Sequence, residues 1–388
     1  MKAYYLRAPH FTSHSGYELA VRPVAETRGI AGVGQRWPRQ GLEEGARGTP
    51  RREWRWPLAR GVQRVISRLA GNEGYSTGGL ALELSALLRM SRSHGEVFHF
   101  LYGENTCRFL PLFDGWRGHR VIATFHQTSQ QLQELIQRPA YLKHLSAAII
   151  LGHNQADFLG RFIAPPRLHV IPHGVDTTYY HPPQSARPRH DPPLCVSIGG
   201  TLRDFVTLRG AIDRLAAKGV PVQYEIIARG DQLPYVQGLT HARVRSWVDE
   251  EEFRRLYQQA DLFVLPLHDV VASNVLLEAL ACAAPTVLTD VGDARDYVDE
   301  ECVLFARPGD PDSLAAAMER CLRDAAFAGA LGTRGRDRVT AFRLDVIAGL
   351  HTDLYRALLG GASGAPLAFS EETTLSHPHH RTAVVGDE

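Results

Sequence analysis

The sequence predicts an α/β protein of two doubly wound, Rossmann-like domains that face each other across a cleft. Three observations carry that expectation. The chain has 388 residues, more than one ordinary core holds and about what two domains with tails require. Each half alternates short apolar runs with helix-capable stretches, the pattern of a parallel sheet with crossover helices. Between the halves stands HPPQSARPRHDPP, residues 181–193, whose prolines can continue neither sheet and mark a linker.

Along the chain, the N-terminal domain covers 1–180, with strands expected at Ala3–Leu6, Val97–Leu101, Arg120–Thr124, Ala147–Leu151 and Leu168–Ile171. Residues 27–72 break the pattern. They are rich in Gly, Pro and Arg, with Trp37, Trp54 and Trp56 among the arginines, and read as a long, partly irregular insertion. That mixture suits a solvated loop with a few anchoring aromatics, or a surface laid against anionic headgroups or a phosphate-bearing acceptor. The C-terminal domain, 194–340, repeats the style with strands at Cys195–Ile198, Tyr224–Ala228, Leu262–Leu265, Thr286–Thr289 and Val303–Phe305. A helix at 341–359 is expected to pack back on the N-terminal domain. Residues 360–388 lack usable periodicity and are expected to be disordered, their His377, His379 and His380 being incidental rather than a metal site.

Composition narrows the function. Apolar residues at 44% and charged residues at 22% describe a globular protein, and a net charge of +1 gives no global attraction for nucleic acid. The five cysteines show no C-x-x-C pair and read as buried free thiols. The N-terminus lacks a signal-peptide core, and no apolar stretch approaches the roughly 18–20 residues of a membrane span. A cytoplasmic location is expected, with contact at most peripheral, at the inner membrane face.

The most informative chemistry lies in residues 256–298, which read as helix, strand, polar loop, helix and strand. A helix opening at Ser273 and Asn274 just after a strand offers free backbone N–H groups and a positive dipole end to a diphosphate. Glu278, one turn inside, could accept hydrogen bonds from two neighbouring hydroxyls, as on a ribose. The bland alternative is an ordinary cap followed by a surface acid.

The stretch SNVLLEALACAAPTVLTDVG, residues 273–292, resembles the donor-binding signature of the retaining GT-B glycosyltransferases, family 4 (glycosyl transferases group 1). VIPHGVDTTYYHP at 170–182 and VIATFHQ at 121–127 are similar to two further segments of that family, so ordered matches run over roughly residues 95–305. The resemblance implies a GT-B fold and transfer of a sugar, with retention, from a nucleotide-sugar donor to a glycan, lipid-linked or small-molecule acceptor. The nucleotide sugar is a substrate and no cofactor is implied. Glu278 matches the glutamate that holds the donor ribose, and the backbone of Ser273, Asn274 and Val275 the diphosphate site. His126 matches a histidine at the reacting sugar, and Ser15 and Gly16 lie where relatives bring a glycine-containing loop to the donor phosphate.

Two departures stand out. The family's other motif glutamate is Val270 here, so its sugar contacts pass to Asp269, to His268 or to the backbone of Ala272–Val275. Gly200 and Phe205 replace the usual cations, leaving Arg203, with Arg209 behind it, to neutralise the leaving diphosphate. His173 and Gly174 read as a structural turn. With no D-x-D pair beside a suitable strand, metal independence is expected. Two alternatives remain: another activity on the same fold, such as an epimerase or a sugar phosphorylase, and a non-catalytic nucleotide-sugar-binding relative. A nicotinamide dehydrogenase is disfavoured because no G-x-G-x-x-G follows the first strand.

Overall fold

The computed structural model describes residues 2–7, 27–31, 57–185, 187 and 189–360. Two six-stranded parallel sheets organise it. The N-terminal sheet contains β1 (Ala3–Arg7), β2 (Thr27–Ala31), β3 (Val97–Phe100), β4 (Arg120–Thr124), β5 (Ala147–Ile150) and β6 (Leu168–Val170), in the order β2-β1-β3-β4-β5-β6. The C-terminal sheet contains β7 (Leu194–Gly199), β8 (Gln223–Ala228), β9 (Ala242–Arg245), β10 (Leu262–Leu265), β11 (Thr286–Thr289) and β12 (Leu304–Ala306), in the order β12-β11-β10-β7-β8-β9. Strands such as AAII of β5 and LFVL of β10 are apolar throughout because helices cover both faces of a parallel sheet. The strand order reverses between β1 and β3 in one sheet and between β7 and β10 in the other. Crevices for ligands open at the carboxyl ends of such strand pairs.

The structure differs from expectation within 27–72. Thr27–Ala31 is an edge strand whose register pairs Ala3 with Thr27, and Pro57–Ala70 is a helix. The strand TRGIA carries a glycine at its centre and no apolar alternation, so its pairing with β1, not its own pattern, defines it. Arg60, Arg64 and Arg68 recur every fourth residue, an amphipathic period that the sequence of the helix carries, and the helix opens on a proline where no N–H donor is needed. Trp37, Trp54 and Trp56 lie outside the described residues, as do 361–388 with their histidines. Strand β9, ARVR, was also not anticipated. It is a charged edge strand, with Arg245 paired to Glu225 and Glu252.

The chain crosses between the halves twice. Residues 181–193 lead into β7, and the chain returns at Phe342 and Arg343 into the helix Leu344–Gly360. That helix buries Ile347, Leu354 and Tyr355 against Ala3, Val97, Ile122 and Ile149 of the N-terminal sheet, and Tyr355 Oη lies 2.6 Å from His99 Nδ1. The chain leaving β6 touches the returning one: Val175 N–H donates to Phe342 O at 2.9 Å, and Val175 and Arg343 form a parallel bridge. All five cysteines are buried and unpaired.

Candidate active site in the interdomain cleft

On the C-terminal side the site is built where β7 and β10 diverge. The loops after these strands are tied together, Asp204 N–H donating to Pro266 O and His268 N–H to Leu202 O. The helix Asn274–Ala281 then opens with Ser273 as its cap, whose Oγ accepts from Leu276 N–H. Glu278 is buried one turn in, and its Oε2 accepts from Tyr257 Oη at 2.9 Å. It is therefore not a surface acid. Arg203 curls over its own loop, Nε donating to Ile198 O and Nη1 to Thr201 O. It lies so close over Gly199 that a Cβ there would sit 2.3 Å from Nε. Burial lowers the Arg203 pKa to about 10, which leaves the guanidinium charged at neutral pH.

The remaining cation candidates are placed differently. Arg209 Nη1 is committed to the carbonyls of Tyr235 and Gln237. Phe205 is sealed in the core. Over Gly200, the position lacking its usual cation, lies the stem of Arg229, with Cδ 2.8 Å from where a Cβ would stand. Sequence reasoning missed Arg229, although an arginine directly after the strand Gln223–Ala228 was a usable signal. Val270 is buried and its carbonyl accepts from Asp293 N–H, while Asp269 Oδ1 accepts from Val270 N–H at 2.8 Å. His268 lies 3.7 Å from Asp204 Oδ2. Gly16 and Ser15 fall outside the described residues.

On the N-terminal side, His126 follows β4 and stacks on Tyr102 with ring centroids 4.6 Å apart. Its Nε2 lies 2.6 Å from Leu101 O, and its Nδ1 lies 3.2 Å from His173 Nε2. His173 Nδ1 in turn lies 2.8 Å from the Asn274 amide, at the atom placed as Oδ1. Burial lowers both imidazoles, His126 to about 3 and His173 to about 4, so both are neutral at physiological pH. The tautomers then follow by elimination. Leu101 O can only accept, so His126 carries its proton on Nε2 and accepts at Nδ1. His173 must donate from Nε2 and accept at Nδ1. Asn274 must therefore present its NH₂ to His173, with the amide oxygen turned the other way. This chain joins the mouth of the Asn274–Ala281 helix to the N-terminal domain, and His173, read from sequence as a turn residue, is its middle member.

Glu104, just beyond β3, is a second residue the sequence did not single out. It is fully buried, Oε2 accepts from His126 N–H at 3.4 Å, and Oε1 has no hydrogen-bond partner. Burial raises its pKa to about 7.

Around the cleft the loop after β11 docks on the loop after β5. Tyr297 Oη donates to Leu151 O, His153 pairs with Asp296, and Asn154 N–H donates to Asp293 Oδ1 at 2.8 Å. Gly152 is required here, since a Cβ would stand 2.3 Å from the Asp293 carboxylate. The other carboxylate oxygen of Asp293 is buried without a partner, and desolvation raises the pKa to about 7.

Comparison with known proteins bears on the family and the fold. A family profile described as glycosyl transferases group 1 matches residues 200–324. The chain is 30% identical over 302 residues to an alpha-maltose-1-phosphate synthase of Mycolicibacterium smegmatis, covering 68% of this chain and 75% of that protein. Among solved structures, a sucrose-phosphate synthase from Thermosynechococcus elongatus superposes with a TM-score of 0.59 at 22% identity, over 74% of this chain and 79% of that one. S. aureus TarM, as a G117R mutant in complex with fondaparinux, alpha-GlcNAc-glycerol and UDP, gives 0.58 at 12% identity, over 74% and 59%. These two structures share the fold.

Proposed function

The chain belongs to the group 1 glycosyl transferases of the GT-B fold, and from that premise we propose that it moves a sugar from a nucleotide-sugar donor to an acceptor hydroxyl, with retention of configuration and without a metal. The observation that carries the reading is the convergence of the Asn274 helix mouth, the Arg203 guanidinium and the buried Glu278 at the β7/β10 crevice, joined to His126 through His173. In this reading the backbone N–H groups of Asn274 and Val275 hold the diphosphate, Arg203 stabilises its charge as it leaves, and Glu278 takes the ribose. A nucleoside diphosphate is a good leaving group, so charge stabilisation and acceptor placement supply most of the catalysis. His126, neutral and held by Leu101 and His173, lines the reacting sugar. Gly16, outside the described residues, is assigned to the donor phosphate by the family resemblance alone. The acceptor is a glycan, a lipid-linked sugar or a small molecule.

The test is a calorimetric screen of UDP, GDP, ADP and their sugar conjugates against wild type and Glu278→Ala, in the presence of a chelator. UDP is the first probe because the TarM complex contains it. One nucleotide should bind, and Glu278→Ala should weaken it by roughly tenfold or more, the cost of losing hydrogen bonds to a charged group. Binding that requires added metal would overturn the metal-free part, and an inverted product anomer the retaining part. The burial of Phe205 and the loss of the glutamate at Val270 favour one second reading, a non-catalytic nucleotide-sugar-binding relative. It predicts donor binding without transfer or slow hydrolysis. An epimerase would turn over without acceptor. No helix among the described residues is long and apolar enough to cross a membrane. The reading places the protein in the cytoplasm, in peripheral contact with the inner membrane face.

A further inference from the structure

Eleven large apolar side chains stand exposed among the described residues, and seven of them fall between Val65 and Trp116. On the helix Thr77–Met90, Leu82, Ala86 and Met90 face the sheet, so Leu84 and Leu88, one turn apart, point away from it. Val65 and Leu69 repeat the spacing on the helix Pro57–Ala70 and are 56% and 65% exposed. Gln63 ties this helix to the start of the next, its Nε2 donating to Tyr75 O and its Oε1 accepting from Thr77 N–H. Phe113 and Trp116 continue the surface on the turns that lead into β4, and Arg117 Nε donates to Ser93 O, fastening those turns to the end of the second helix.

The charges on this face are one-sided. Between residues 63 and 119 the exposed charged side chains are Arg64, Arg68, Arg92 and Arg117 against Glu73 alone, while Glu83, Glu96 and Glu104 are buried. A solvated face normally mixes both signs and spares large apolar residues. Apolar pairs with Arg64 and Arg68 on the first helix, and with Arg92 and Arg117 on the turns at the end of the second, suit the headgroup layer of an anionic bilayer. There the apolar side chains reach the acyl boundary and the long arginines stay with the phosphates.

We propose that the outer face of the Pro57–Ala70 and Thr77–Met90 helices, with the 110–118 turns, docks on an anionic lipid bilayer. The proposal rests on the peripheral-membrane part of the functional reading, names the surface responsible, and is independent of the nucleotide used. The first helix is tied to the cleft from within: in the turn after it, the buried Asn72 donates from Nδ2 to Glu104 O, beside His126. Docking there brings the cleft to the membrane, within reach of a lipid-borne acceptor.

The test is co-sedimentation of the full chain with phosphatidylcholine vesicles, with and without phosphatidylglycerol. Wild type is compared with Val65→Glu/Leu69→Glu, Leu84→Glu/Leu88→Glu and Arg64→Gln/Arg68→Gln, and melting temperature and UDP affinity are measured in parallel. Wild type should bind only the anionic vesicles, less so in high salt, and each double variant should lower partitioning on the order of tenfold with folding and UDP binding unchanged. Wild type that ignores anionic vesicles while binding UDP overturns the membrane contact and this surface together, and leaves the transferase reading standing. Variants that bind vesicles as well as wild type overturn the surface alone. A wild-type dimer in light scattering that these variants break, without vesicle binding, makes the face a self-interface and also overturns the proposal.

Discussion

At the scale of single residues, the cleft is governed by which atoms carry protons. The His126–His173–Asn274 chain admits one neutral arrangement, so selective ¹⁵N-histidine spectra should show His126 protonated on Nε2 and bare on Nδ1, and likewise His173. A His173→Ala variant should release His126 from that state and lower kcat more than it raises KM for the donor. Unchanged His126 nitrogen shifts in the variant would remove the chain as the cause. Arg203→Ala should lower kcat by roughly a hundredfold or more if its guanidinium carries the leaving diphosphate. Arg229→Ala, placed over Gly200, should cost less in kcat and more in donor affinity, read from steady-state kinetics. Some of this was legible. Ser273 as cap and Glu278 near the helix mouth follow from spacing, and the structure places both where the β7/β10 crevice opens. His173, Glu104 and Arg229 were not legible as members of the site. Their proximity is created by sheet order, which brings residues far apart in the chain to one end of a strand pair.

At the scale of elements, the strands that a sequence reveals best are those buried on both faces. The sequence pattern marked β3, β4, β5, β10 and β11 because strands between two helical layers are mostly apolar, and a polar member such as His99 is there only with partners, Tyr355 and Thr124. The edge strands β2 and β9 escaped for the opposite reason: TRGIA and ARVR, each paired on one side only, carry no apolar run. The turn after β7 depends on a backbone that few residues adopt. Gly199 has φ +134°, and a Cβ there would strike the Arg203 guanidinium. Gly199→Ala should therefore destabilise the fold by about 1–3 kcal/mol in denaturant titrations and displace Arg203 from its carbonyls. Ser273→Ala should cost about 1 kcal/mol in the same measurement, as for other lost caps.

At the scale of the whole molecule, two shifted groups make the contact between halves sensitive to pH. The usual value for Asp293 is 3.8, and desolvation at the domain contact raises it to about 7, so the docked fold holds a proton that the unfolded chain gives up. Its contribution is largest below pH 4 and declines until about pH 7. His153 is raised mainly by its hydrogen bond to Asp296, and that half-exposed pair also loses its contribution as pH rises through the raised value. Both signs agree. Thermal melts should show wild type losing stability between pH 5 and 8, and Asp293→Asn, which keeps an acceptor for Asn154 and carries no charge, should flatten the decline. An equal slope in the variant would assign the effect elsewhere.

The seam at Val175 and Phe342 has a mechanical meaning as well. A molecule whose halves were joined by one tether could swivel in any direction, but here the outgoing and returning chains are stitched side by side, like a door hung on a single jamb. Any opening of the halves, once the Tyr297–Leu151, His153–Asp296 and Asn154–Asp293 contacts release, is held to a swing about that line. Displacement then grows with distance from the jamb, so His173, two residues from it, travels least while the far lips of the cleft sweep widest. Such a device can admit and release large substrates at its outer edge while hardly disturbing the atoms nearest the pivot.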